Sequence, residues 1–166
     1  MNERHFQNLS AAVSLGFLAE DVVFAAGCAL RGQIIDESGR QALKRAGDLL
    51  KAVANPRRGL ALGPERRRLS DRGAVSALEA ELHPSPPENL QEYATRLAGA
   101  IEHALNGGVT DAEKDQLTAV REQFASLARA SLAEVSTLSR RRRKKGLWST
   151  PTNSTSLSFT ESPSAR

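Results

Sequence analysis

The sequence predicts an all-α protein: a helical bundle of four main helices plus one short helix, with a C-terminal helical hairpin and a disordered tail. Apolar residues recur at spacings of three and four along each long segment, and no run of Val or Ile alternates with period two. Ala and Leu dominate the apolar set while aromatics make up only 4%, a balance that favours helix packing over sheets. The chain of 166 residues has the size of one ordinary domain.

The first helix is expected over Met1 to Arg31. Phe6, Leu9, Val13 and Phe17 fall at helical spacings, and from Val22 to Leu30 nearly every residue is apolar or small. That half is expected to be buried nearly all round. Glu20 and Asp21 interrupt the stretch and argue against a membrane span, which needs about 20 apolar residues and tolerates central acids poorly. The same acids cut the apolar segment that a secretory leader needs, and Glu3 cancels Arg4 at its start. Phe24-Ala25-Ala26-Gly27-Cys28 has the outline of a lipoprotein processing site, but Ala25 stands where Leu is usual. Neither a lipoprotein nor a secreted form is expected.

Gly32 ends this helix, and Ile34-Ile35 reads as a short apolar link. Ser38 with Gln41 matches a capping box, and Leu43, Ala46, Leu50 and Val53 carry the seam of a second helix, which Asn55-Pro56 closes. Residues 55–69 form an irregular basic loop punctuated by Pro56, Gly59, Gly63 and Pro64. A short helix capped by Ser70 or Asp71 runs through Val75, Leu78 and Leu82 to His83-Pro84. Ser85-Pro86-Pro87-Glu88 then places Ser at a cap, Pro at the first helical position and Glu at the third. The helix it starts buries Leu90, Tyr93, Leu97, Ile101, Ala104 and Leu105, and Asn106-Gly107-Gly108 stops it.

Thr110 and Glu113 form a capping box for the last and longest helix, and Asp111, Glu113 and Asp115 sit at its positive end. Leu117, Val120, Phe124 and Leu127 follow as a heptad seam of coiled-coil type. The seam breaks at Ser131 and resumes, shifted, at Val135 and Leu138. No Pro or Gly interrupts Thr110 to Lys145. The predicted organisation is a bundle over 1–139, a basic extension over 140–148 and a Ser/Thr-rich tail over 149–166.

The net charge of +4 is unevenly spread. Residues 1–56 balance, 57–72 carry +4, 73–139 carry −6 and 140–145 carry +6. The protein is therefore not uniformly basic, and its basic segments have the option of docking on its own acids. Arg140, Arg141, Arg142, Arg143, Lys144 and Lys145 exceed what a helix end needs for its dipole, and adjacent cations repel one another. The run points to an anionic partner: nucleic acid, an anionic membrane surface or an acidic protein surface. Trp148, after Gly146-Leu147, suits stacking on a base or lying at a lipid interface. Arg57, Arg58, Arg66, Arg67 and Arg68 form a secondary anion-binding candidate, whose bland reading is a solvated linker.

Chemistry beyond charge is sparse. Cys28, the single cysteine, excludes an internal disulfide and reads as a small buried hydrophobe, with only Arg31 nearby to activate it. Glu79 and His83 share a helix face at four-residue spacing, but no third metal ligand declares itself. There is no glycine-rich phosphate loop and no nucleophile motif, so no catalytic residue, metal or cofactor is expected. Asn153-Ser154-Thr155 matches a glycosylation sequon that matters only in a secreted chain. The leading expectation is a non-enzymatic binding or scaffold protein whose extension holds nucleic acid without sequence specificity. Membrane association through the same cations plus Leu147 and Trp148 is the alternative. A homodimer through helix faces is compatible with both, and so is an enzyme site in the bundle around Glu20, Asp21 or His103. The expected location is the cytoplasm, or the nucleus in a cell that has one, where the six cations also suit an import signal.

Overall fold

A computed structural model describes residues 3–56 and 69–146, with side chains described over 10–56 and 72–138 and at Arg140. Five helices make up this region: α1 (Glu3–Leu30), α2 (Glu37–Ala54), α3 (Leu69–Glu81), α4 (Leu90–Leu105) and α5 (Asp111–Gly146). No strand occurs among the described residues, and the expected all-α bundle of four main helices and a short one is what forms.

The turns form where the glycines fall, for a local reason. Gly32 takes φ 66° and Gly107 φ 85°, the left-handed conformation that costs glycine least. After α1, Gln33 N–H donates to Cys28 O at 2.9 Å and Gly32 N–H to Ala29 O at 3.1 Å. After α4, Gly108 N–H donates to His103 O at 3.3 Å and Gly107 N–H to Ala104 O at 3.4 Å. Both ends are Schellman motifs, which satisfy carbonyls the helix leaves over.

Three helix starts differ from expectation, and the first is that of α3, which begins at Leu69 and so contains Ser70 and Asp71 instead of being capped by either. The cap of α2 is Asp36, whose carboxylate accepts Gly39 N–H at 2.8 Å, and not Ser38. Asp36 holds extended backbone and brings a charged acceptor to the positive helix end, so the earlier cap wins. The cap of α4 is Asn89, in a full box with Glu92, and not Ser85. Pro87 disfavours helical backbone at Pro86, and the segment forms an isolated turn with Glu88 N–H on Ser85 O at 3.1 Å. Glu88 turns instead to Arg96, accepting two hydrogen bonds at 2.9 and 2.8 Å.

Packing pairs the helices unequally. The most extensive interface joins α1 to α5, and the next joins α2 to α4. The tight turn between α4 and α5 is present, yet each arm of that hairpin finds its main partner elsewhere. Gly16 faces Ser131, while Gly27 faces Arg121, so position rises along α1 as it falls along α5 and the two run antiparallel. Close approach of α2 depends on Gly39: a Cβ there would sit 2.8 Å from Asp36 Oδ1 and 3.1 Å from Ala25 Cβ.

The core gathers Leu43 and Leu50 of α2, Leu78 of α3, Leu97 and Ile101 of α4, and the α5 seam Leu117, Val120, Phe124 and Leu127. From α1 it takes a mostly small-residue face, chiefly Ala19, Val22, Ala25 and Ala26, all within 1% of full burial. The expectation that the half from Val22 to Leu30 is buried nearly all round is corrected at Phe24, the one exposed residue of that half. Val13, Phe17 and Phe24 are exposed, the two Phe at 65% and 67%, and Ile34 of the link is 96% exposed. An alanine face lets neighbouring backbones come close at full packing density, and the bulkier opposite face is left to solvent. Ser10–Leu30 of α1, with mean hydropathy 1.7, is long and apolar enough to cross a membrane by length and composition, with exposed Glu20 and Asp21 at its middle.

Candidate anion-binding extension

The candidate site is the far end of α5, and its position follows from how that helix starts. Thr110 N–H donates to Glu113 Oε2 at 2.8 Å, and the other Glu113 oxygen meets His103 Nδ1 from the end of α4. These contacts hold the Glu113 carboxyl below its ordinary range, the Thr110 N–H first and His103 second. Asp111 is likewise lowered by its partner Lys114 at 2.7 Å. The negative side chains thus sit at the positive end of the helix dipole.

From that start the seam residues are buried in turn, and among the described side chains Ser131 is the last buried one of α5, against Gly16. Past it Leu132 is exposed, Val135 and Leu138 are half-buried, and Arg140 is exposed. The helix continues unbroken through Gly146. At 1.5 Å per residue the helical backbone reaches about 22 Å beyond Ser131. Because α1 and α5 are antiparallel, the first turns of α1 run toward this same end.

Arg140, Arg141, Arg142, Arg143, Lys144 and Lys145 therefore lie on one helical segment. Arg140 forms no ion pair with any described residue. Of the acids of 73–139, Glu88 holds Arg96, Glu102 lies 3.7 Å from Lys51 and Glu81 accepts the Ser126 hydroxyl at 2.6 Å, while exposed Glu134 lies on the overhang itself, about 9 Å along the helix from Arg140. Asp111 and Arg140 are separated by about 44 Å of helix, far beyond the screening length at physiological salt. Trp148 and the loop residues Arg57, Arg58, Arg66, Arg67 and Arg68 lie outside the described residues, as does the 149–166 tail.

The other candidates fall on the surface or stay inert. Glu20, Asp21 and His103, on which a site inside the bundle would rest, are all exposed. Among the described residues no buried side-chain polar atom lacks a hydrogen-bond partner, and no three His, Cys, Asp or Glu gather as a metal site would need. Cys28 is buried, with Arg31 Nη2 donating to its sulfur at 3.7 Å. Sequence reasoning missed one feature, a groove between α1 and α5 bordered by Arg31, Arg121 and Arg129. Arg121 and Arg129 share α5, and Arg31, distant in sequence, meets them only through the antiparallel packing.

The fold and extension define a class no narrower than an all-α bundle with a cationic helical arm. No family model matches the chain, and no curated protein or solved structure does so either.

Proposed function

We propose that this is a non-enzymatic helical binding protein whose basic extension, Arg140 to Lys145, holds the phosphate backbone of nucleic acid without reading its sequence. The observation that carries this is the unbroken run of α5 from buried Ser131 on through Gly146, which puts the six cations on one helical backbone, with Arg140 about 44 Å from Asp111 at the start of that helix. Lysines and arginines neutralising phosphates give salt-sensitive, sequence-blind affinity. Trp148 is assigned to stacking on an exposed base, and the loop arginines 57, 58 and 66–68 to a secondary contact. No cofactor takes part, and the proposed location is the cytoplasm, or the nucleus where there is one.

The test replaces Arg140–Lys145 with Gln in the full chain. Binding to a labelled duplex at low salt is expected to be lost while circular dichroism keeps its helical signal. Unchanged binding sinks the reading.

One observation favours a second reading, association with an anionic membrane surface. Val13, Phe17 and Phe24 are exposed on one face of α1, with Glu20 between the two Phe, and Leu132 of α5 is exposed as well. Exposed apolar side chains together with cations suit the lipid interface. The same face suits a homodimer. Flotation with vesicles that contain anionic lipid, against vesicles that lack it, separates membrane from nucleic acid. Light scattering of the purified chain reports the dimer.

A further inference from the structure

A second cationic feature lies in the bundle itself, apart from the extension. Where α1 crosses α5 an open groove of about 410 Å3 lies between the two helices, within the range of roughly 300–1,000 Å3 typical of small-molecule sites. Its walls are mostly apolar: Val23 and Phe24 from α1, Ala125 and Ala128 from α5. Phe24 is 67% exposed at its edge.

One end of the groove is unusual in its charge. A Cβ placed on Gly27 would lie 3.4 Å from Arg31 Nη1 and 3.8 Å from Arg121 Nε. Two guanidinium groups therefore approach the same point, over a residue with no side chain. Like charges this close repel unless an anion joins them. Neither has a carboxylate partner among the described residues. Arg31 donates only to neutral atoms, Gln33 Oε1 at 3.0 Å and Cys28 Sγ at 3.7 Å. Those two bonds set its guanidinium in place before any ligand arrives, which lowers the ordering cost of binding. At the other end, seven residues or about 10 Å along α1 from Gly27, the lining holds one acid and one base, Glu20 and Arg129. Attraction for an anion is therefore concentrated at Arg31 and Arg121.

We propose that this groove binds a small amphiphilic carboxylate. The two carboxylate oxygens suit two arginine forks, Arg31 from the turn that ends α1 and Arg121 from α5. The apolar body lies along Val23, Phe24, Ala125 and Ala128 toward Glu20 and covers the exposed Phe24 ring. The site is independent of the basic extension.

The experiment titrates the full chain with decanoate, below the concentration at which it forms micelles, by isothermal calorimetry. One site per chain is expected. Arg31→Gln and Arg121→Gln are each expected to weaken it about 10- to 100-fold, the range for hydrogen bonds to a charged group. Acetate, a head without a body, and decanol, a body without a head, are expected to bind at least about tenfold more weakly. Arg121→Lys keeps the charge without the fork and is expected to fall between, which separates head-group recognition from loss of fold. The variant with Arg140–Lys145 changed to Gln is expected to keep full decanoate binding. Absence of decanoate binding by the folded wild type overturns the proposal. Wild-type affinity in Arg121→Gln, equal affinity for decanol, or loss of binding in the extension variant does the same.

Discussion

Binding of the extension to duplex DNA is expected to weaken with salt along a log–log slope of about −3.6. The perturbation is ionic strength, and the magnitude comes from the helical backbone of α5. A helix turns about 100° per residue, so six consecutive positions surround its axis. The positions of Arg140, Arg141, Arg143 and Lys144 fall within one half of the helix surface, and those of Arg142 and Lys145 within the other. A duplex approaching from one side meets about four cations, and each neutralised phosphate adds about −0.9 to the slope. Raising salt from about 50 to about 200 mM then weakens binding about 150-fold. Were the same residues extended along the groove, six phosphates would give a slope of about −5.4 and a loss of about 1,800-fold. Fluorescence anisotropy of a labelled duplex of mixed sequence, repeated across this salt range, measures the slope. With the loop arginines 57, 58 and 66–68 changed to Gln so that the extension alone contributes, a value beyond about −5 refutes presentation on a helix. A value near zero refutes the nucleic-acid reading altogether.

Three further outcomes test the fold. Phe124→Ala removes a side chain with no exposed surface and is expected to cost about 3–5 kcal/mol in denaturant unfolding; a loss below about 1 kcal/mol would mean that the α5 seam is not the centre of the core. Gly39→Ala adds a methyl group 2.8 Å from Asp36 Oδ1 and 3.1 Å from Ala25 Cβ. It is expected to cost about 1–3 kcal/mol by overpacking, although alanine usually favours a helix; a stabilised variant would contradict the close contact of α1 and α2. Glu113 and Asp111 have lowered pKa values in the fold. Their stabilising contribution is therefore full above the ordinary carboxylate range and is lost as pH falls through the lowered values. Melting temperature is expected to drop on acidification below about pH 4, and Glu113→Gln to flatten that drop; a variant with the wild-type acid profile would remove Glu113 from the account.

Much of the fold was legible because its signals are local. The glycines at 32 and 107 end helices through their own positive φ and the hydrogen bonds around them, and neither needs a distant partner. The α5 seam was legible because Leu117, Val120, Phe124 and Leu127 stand out against polar neighbours, and all four are buried. The caps were less legible. Ser38 and Ser85 each have a competitor within four residues, Asp36 and Asn89, and a one-dimensional pattern does not weigh a charged acceptor or a Pro-Pro restriction against a serine.

For the sites, the sequence by itself determined the charge layout: six adjacent cations at the end of one unbroken helix, and acids gathered at that helix's start. Such order comes from residue type and from helix geometry, both carried by neighbours along the chain. Only the tertiary structure decided which face of α1 meets the core. A helix apolar on most sides has no preferred direction until packing density selects its alanines and turns Phe17 and Phe24 outward. The same packing brings Arg31 and Arg121 together over Gly27. Arg31, in the turn after α1, and Arg121 of α5 come to one place only once the two helices are in contact.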